Sequence, residues 1–406
     1  MRFSGFDDEW KKSNLGNISS NEMYGMNSAA KDYDGFNKYI RITDISETSN
    51  KFIPNPLTSP DGDLEDKYKL KKGDIVFART GASTGKTYLY DDNDRNLYFA
   101  GFLIKFHIDN ADPKFIFYNT LKEEYLNWVS VMSVRSGQPG INSNEYKKLP
   151  IILPSLDEQN KISNFLTSID KKIDLLERKH QFYQEFKKFL MQQIFTQKLR
   201  FNFTDDWNYM NFSEIFKSVS TKKYQIKSAD ILDKGDFEVI DQGQDEIAGY
   251  FNDKTKLCQE LPIIIYGDHT TFVKFRDKPF IVGADGVKLL IPKFNANPKY
   301  LFYALEHFNI KPEGYKRHFS IIKKIKLPIP TLEEQNEISE IFTYIDIKLK
   351  YTKIQLQETE EFKKGLLQQM FMVRINWRCN FKLAKSPSFN KHLLILKNKI
   401  IFIIIE

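Results

Sequence analysis

Apolar residues recur at alternating spacings of three and four along one stretch of this chain, at Ile162, Leu166, Ile169, Ile173, Leu176, Tyr183, Leu190 and Ile194. That is the seam of a long amphipathic helix, interrupted by His180 and Lys187. The pattern returns at Ile338, Phe342, Ile345, Leu349, Leu356, Leu366 and Met370, with Thr352, Thr359 and Lys363 as its weak points. Residues 154–195 and 330–371 align without a gap at an offset of 176 residues, with 20 identities in 42 positions. A repeat this long is half a protein rather than a solenoid unit. Each copy opens with a proline, a capping residue such as Ser155 or Asp157, and acidic residues where the helix dipole favours them. Each predicts a helix of roughly 60 Å, at ~1.5 Å per residue. A narrow seam on so long a helix needs a partner. The other copy is the expected one, in an antiparallel coiled coil if a pseudo-two-fold axis relates the halves. The alternative is two unrelated helices, each docked on its own domain.

Between the helices the period changes. Lys38-Tyr39-Ile40-Arg41-Ile42 alternates as a strand does, and 50–62 is a Pro/Ser/Asp/Gly loop. Gly73 turns the chain into a buried strand ending at Ala78, followed by the polar loop Arg79-Thr80-Gly81-Ala82-Ser83-Thr84-Gly85-Lys86. Residues 99–106 read as another strand, 113–118 as a short aromatic helix and 136–141 as a loop. The second half replays this plan loosely: Arg200 to Trp207 echoes Arg2 to Trp10, and Pro298-Lys299-Tyr300-Leu301-Phe302-Tyr303 matches Pro113-Lys114-Phe115-Ile116-Phe117-Tyr118. The expected fold class is α+β: two pseudo-repeated α/β domains, 1–153 and 199–329, separated by two long helices, 154–198 and 330–372. An atypical tail follows, 373–406. A shared scaffold carrying two loop sets predicts two different recognition surfaces.

The chain has 406 residues, 41% hydrophobic and 14% aromatic, enough for two or three domains with sizeable cores. Its two cysteines, Cys258 and Cys379, make neither a metal-ligand spacing nor a disulfide framework, which suits a reducing cytoplasm. The six histidines form no metal-spaced cluster, and no metal site is expected. No signal peptide opens the chain and no apolar run reaches the ~20 residues of a membrane span. A net charge of +7 permits an anionic partner without requiring one.

In this order the motifs resemble the specificity subunits of type I restriction–modification systems. The likeness runs to about Phe371. It rests on the Pro-x-Leu-x-Glu-Gln openings at Pro154 and Pro330, the duplicated helix, and the Gly73-Asp74-Ile75-Val76-Phe77-Ala78-Arg79-Thr80-Gly81 block. The Gly137-Gln138-Pro139-Gly140-Ile141 loop and Gly283-Ala284-Asp285-Gly286 add to it. The resemblance implies two target recognition domains, each reading one half of a split site in double-stranded DNA. It implies helices that set the spacer and dock two modification (methyltransferase) subunits. It also implies no catalysis in this chain: S-adenosylmethionine-dependent adenine N6 methylation belongs to the modification subunits, and ATP- and Mg2+-dependent translocation and cleavage to the restriction subunits. The chain has no Asn/Asp-Pro-Pro-aromatic tetrapeptide, the adenine methyltransferase hallmark.

The residues expected to touch DNA are Arg79, Ser83, Lys86 and Gln138 in the first domain, and Asp268, His269, Thr270, Lys316, Arg317 and His318 in the second. Arg79 suits a bidentate contact to guanine, and Ser83, Thr84 and Lys86 suit phosphates. Two look-alikes carry little weight. Residues 80–87 imitate a phosphate-binding loop, but the first glycine is missing and a strand, not a helix, is expected to follow. Pro60-Asp61 with Glu65-Asp66-Lys67 imitates a nuclease signature inside a solvated loop. The rival readings for the whole chain are a coiled-coil adaptor with two ligand-binding domains and no DNA, and an enzyme built around the Thr80–Thr87 loop. In the tail, Arg374 to Trp377 echoes the opening of each half and Leu393 to Ile405 is an aggregation-prone apolar run. The tail is expected to lie outside the working fold.

Overall fold

A computed structural model describes residues 2–371 except 202, 284 and 315. The tail, 373–406, lies outside the described residues. The chain divides into two compact units, residues 1–164 with the stretch from 364 onward, and residues 165–363.

In the first unit, strand Lys11–Asn14 pairs antiparallel with Pro150–Leu153, the run that feeds the first long helix. A four-stranded antiparallel sheet is ordered Ser19–Tyr24, Leu103–Ile108, Asp74–Ala78, Thr87–Leu89. All five residues of Asp74–Ala78 are buried, as the apolar run from Ile75 to Ala78 predicts for a central strand. The buried Asp74 carboxylate faces His107 Nδ1 at 2.8 Å and accepts from the Lys71 amide at 2.9 Å. Lys38–Ile40 pairs in parallel with Leu97–Phe99, and Ala29–Asp32 pairs antiparallel with Thr58–Asp61.

Three local expectations are corrected here. The strand expected over 99–106 is two strands, broken by a turn at 100–102 that leaves Phe102 55% exposed. The loop expected over 50–62 ends in strand Thr58–Asp61, which tolerates Pro60 because that strand has one partner only. The strand at Lys38 stops at Ile40. There Asp44 accepts from the Arg41 backbone amide at 2.9 Å and from its guanidinium Nε at 2.8 Å, folding Ile42–Asp44 into a 3-10 turn.

The second unit repeats the plan. Asn208–Asn211 pairs with Lys326–Ile329, and a four-stranded antiparallel sheet is ordered Phe216–Val219, Val287–Pro292, Ile263–Gly267, Val273–Arg276. A second sheet joins Gln225–Ile226, Ile281–Gly283, Phe237–Ile240 and Gly249–Phe251.

The long helices are Leu156–Phe195 and Leu332–Phe371. Within the second unit they run antiparallel, because partner numbers fall on one as they rise on the other. Asp170 meets Lys363 at 2.6 Å, His180 Nδ1 meets Thr352 Oγ1 at 3.0 Å, and Asp346 meets Lys187 at 2.9 Å. The seam residues Leu166, Ile169 and Leu176 are buried, and Ile173, Tyr183, Leu349 and Leu356 half-buried. Leu190, Ile194, Ile338, Phe342 and Ile345 enter the core of the second unit with Trp207, Tyr300 and Leu301. Ile162, Leu366 and Met370 are buried in the first unit. The ends of the seam therefore serve domain cores as well as helix pairing. No described helix is long and apolar enough to cross a membrane.

Candidate nucleic-acid interface

Each domain is fastened to the helices by the same few groups. The buried Glu158 carboxylate accepts from Arg2 Nε at 2.7 Å and Nη2 at 2.8 Å. Glu334, also buried, accepts from Arg200 Nε at 3.0 Å, Arg200 Nη2 at 2.7 Å and Trp207 Nε1 at 2.9 Å. Gln159 accepts from the Asp112 amide and donates to the Pro154 carbonyl, both at 2.9 Å; Gln335 does the same with Asn297 and Pro330, again at 2.9 Å. Asp112 and Asn297 in turn cap the helices that begin at Pro113 and Pro298. The far end of each long helix is anchored by an aromatic ring. Phe371 lies 5.0 Å from Phe115, and Phe195 lies 6.0 Å from Tyr300 and 6.3 Å from Phe342. The Glu-Gln pairs and terminal phenylalanines of the repeat are thus its fasteners.

The loops held by this frame differ. In the first domain, strand Asp74–Ala78 delivers Arg79 to the surface. The Arg79 carbonyl accepts from the Ile141 amide at 2.9 Å, and the Gly81 amide donates to Pro139 at 3.0 Å. The loop bearing Gln138 is therefore laced to the loop bearing Arg79. Gln138 is exposed beside Gly81, whose φ of +72° suits glycine. Arg79 Nε donates to the Gly101 carbonyl at 3.1 Å, and its guanidinium lies 5.0 Å from the Tyr24 ring and 5.9 Å from Phe102. Ser83 ends a half-buried 3-10 turn, Gly81–Ser83. Lys86 departs from expectation. Its ammonium donates to the Ile45 carbonyl at 3.2 Å and pairs with Glu47, leaving the side chain 13% exposed. It braces the loop instead of waiting for a phosphate.

In the second domain the loop after Ile263–Gly267 folds inward. Asp268 and His318 are buried, which corrects the expectation that they touch DNA. The Asp268 carboxylate accepts from the Phe319 amide at 2.8 Å, and its carbonyl accepts from the His318 amide at 2.7 Å. The Glu313 amide donates to His318 Nε2 at 3.0 Å. Both residues are consumed in tying the 268–272 loop to Phe319–Ile322. Half-buried His269 and Thr270 wrap around Gln242: the His269 amide donates to Gln242 Oε1 at 3.1 Å, and the Thr270 hydroxyl donates to the Gln242 carbonyl. Lys316 and Arg317 are exposed, with Lys316 paired to Glu313. Tyr24, Phe102 and Gln242 belong to these surfaces and were not singled out from sequence. Lone aromatic and amide residues at strand ends carry no spacing signal.

The phosphate-loop imitation at 80–87 ends in strand Thr87–Leu89, not in a helix. Among the described residues no cluster of three or more His, Cys, Asp or Glu side chains is placed to hold a metal ion.

A family profile described as Type I restriction modification DNA specificity domain matches residues 7–181 and 204–361. The chain is 23% identical over 342 residues to the putative type I restriction enzyme MjaX specificity subunit of Methanocaldococcus jannaschii, covering 76% of this chain and 80% of that one. It is 26% identical over 193 residues to the type I restriction enzyme HindI specificity subunit of Haemophilus influenzae, covering 46% and 41% of the two chains. Its fold is similar to the crystal structure of the type I restriction-modification system S subunit from M. genitalium, with a TM-score of 0.63 at 17% identity, over 90% of this chain and 96% of that one. Two matched segments, the fastened pair of α/β domains and the duplicated helices agree: this chain belongs to the type I restriction modification DNA specificity family.

Proposed function

We propose that this chain is the DNA-reading subunit of a type I restriction–modification complex, working in the cytoplasm and without catalysis of its own. Each domain reads one half of an asymmetric, bipartite target. The paired helices fix the unread gap and dock two methyltransferase subunits. Those subunits carry S-adenosylmethionine and methylate adenine N6; restriction subunits carry the ATP- and Mg2+-dependent cleavage. One observation carries this reading: the same fasteners hold both domains while the loops after the central strands differ, so one frame presents two readers.

The test is a methylome. The full chain is expressed with its methyltransferase subunit in a host lacking adenine methylation, and N6-methyladenine is mapped by single-molecule sequencing. One split motif with unequal halves and a fixed gap is expected. Inserting four residues into the middle of one long helix adds about 6 Å of rise and should change the gap while sparing both half-sites. A soluble, assembled complex that methylates no split motif would overturn the proposal. An adaptor that does not act on DNA would also show none of the steep salt dependence that phosphate contacts impose.

A further inference from the structure

We propose that Arg79, held between Tyr24 and Phe102, reads a guanine in the half-site of the first domain, and that Phe102 rests against the methyl group of an adjoining thymine. The inference rests on the DNA-reading function proposed above. It adds the base class and the groups that select it.

The guanidinium of half-buried Arg79 is pinned at its inner edge. Nε is spent on the Gly101 carbonyl at 3.1 Å. No carboxylate among the described residues lies within 4 Å of the two terminal nitrogens, and none of their hydrogen bonds falls on a described residue. Two parallel donors in a fixed plane match guanine O6 and N7. A phosphate contact needs charge but no such plane, and a mobile lysine would serve.

The rings that hold the fork are themselves set by backbone. Tyr24 directly precedes Gly25, and Phe102 directly follows Gly101. These glycines lie where two segments cross too closely for side chains. A Cβ on Gly25 would fall 2.3 Å from the Ala100 carbonyl oxygen, and one on Gly101 would fall 3.1 Å from that of Met26. The Gly101 amide donates to the Met26 carbonyl at 2.7 Å, and the Tyr24 hydroxyl accepts from the Ser143 amide at 3.2 Å. The crossing fixes both rings, and the rings fix the arginine before any ligand arrives. Ordering a free arginine would otherwise oppose binding.

Tyr24 is 41% and Phe102 55% exposed, a cost in water that a purely structural clamp does not need to bear. An exposed phenyl face beside a guanine-reading fork suits the thymine C5 methyl, the one apolar group on the major-groove edge. The second domain carries no arginine at this place. At the matching place after its central strand stands Asp268, buried and bonded to Phe319.

The test uses the assembled methyltransferase complex with the full chain, on duplexes of the target found by methylome. One guanine at a time is replaced by 7-deazaguanine, which lacks N7, and one thymine at a time by uracil, which lacks the methyl. One 7-deazaguanine is expected to weaken wild-type binding roughly tenfold or more. Arg79→Ala should lose as much on the unmodified duplex and be indifferent to that substitution. Arg79→Lys, which keeps the charge but not the fixed fork, should show a smaller 7-deazaguanine penalty than the wild type. Uracil at the neighbouring position should weaken the wild type and leave Phe102→Ala unaffected. The half-site of the second domain should be read normally by every variant, which shows that the variants fold. Uniformly weaker binding by Arg79→Ala, with all base preferences intact, would overturn the proposal in favour of a phosphate contact. So would a 7-deazaguanine penalty that persists in Arg79→Ala. Either result leaves the DNA-reading function standing, whereas a wild-type complex that binds no split target removes both.

Discussion

In the first unit a buried glutamate takes Arg2 and the next residue takes the Asp112 backbone; in the second the same two residue types take Arg200 and the Asn297 backbone. The loops that follow the two central strands were treated in the opposite way. One opens with a half-buried arginine beside two rings and the other with a buried aspartate bonded to Phe319. A carboxylate without solvent has few acceptable partners, so the fasteners resist change. The loops bond to other loops of their own domain and not to these fasteners, so they can differ while the frame stays the same.

The comparison can be broken most directly at the fasteners. Glu334→Ala strands Arg200 and Trp207 Nε1 and should cost about 3–5 kcal/mol, read by urea denaturation. Glu158→Ala should cost less, because the Arg2 side chain is 33% exposed and has water to return to. Equal losses would mean that the two fasteners are not graded by burial.

The ion pairs between the helices come next. Lys187 holds Asp346 and Glu306, whereas Lys363 holds Asp170. Lys187 is nearly buried and its two acids are about two-fifths exposed, so Lys187→Met should cost about 1–3 kcal/mol at neutral pH, between a surface pair and a buried one. Burial raises the Glu306 carboxyl above its ordinary value against the pull of Lys187. The folded state then binds that proton more readily than the unfolded chain, so stability rises as pH falls through the raised value. Lys187→Met removes the opposing charge, so it should regain stability at mildly acidic pH. Lys363→Met breaks the pair with Asp170 and should also destabilise the helix pair. A flat pH profile for Lys187→Met would contradict this.

Within the loops the order of effects should reverse between stability and reading. Asp268→Ala leaves the Phe319 amide without its acceptor and should cost about 1–3 kcal/mol in thermal unfolding. Arg79→Ala should cost about 1–2 kcal/mol, the scale of a half-buried cation–ring contact, while altering the base preference. The smallest change belongs to the seam. His180 and Thr352 occupy positions whose repeat mates are Leu356 and Leu176. His180→Leu should raise stability by about 1 kcal/mol, since a polar seam residue trades stability for register. Thr352 keeps its bond to the Lys348 carbonyl.

The frame was legible because it is periodic and repeated. The 176-residue offset gave both helices and their openings, and apolar runs located the central strands. The candidate surface was only half legible. Arg79 and Gln138 were singled out because each ends or fills a polar loop, and the structure laces those two loops together. Tyr24 and Phe102 were not, because a backbone crossing at Gly25 and Gly101 joins residues far apart in sequence. Asp268, His318 and Lys86 misled for a common reason. A charged residue in a loop signals solvent only until its partners are known, and these three have theirs inside the protein.

Asp170 with Lys363 and Asp346 with Lys187 are one ion pair made twice, the acid from either copy taking its base from the other. Such self-complementarity is what an interface between two identical subunits requires. It points to descent from a homodimer whose subunits became tethered head to tail. Once tethered, the halves no longer had to mutate together. His180 can stand where its repeat mate is Leu356, and the loops can differ. A half-length ancestor ending after the first helix would already have held both Asp170 and Lys187, and so the means to pair with itself.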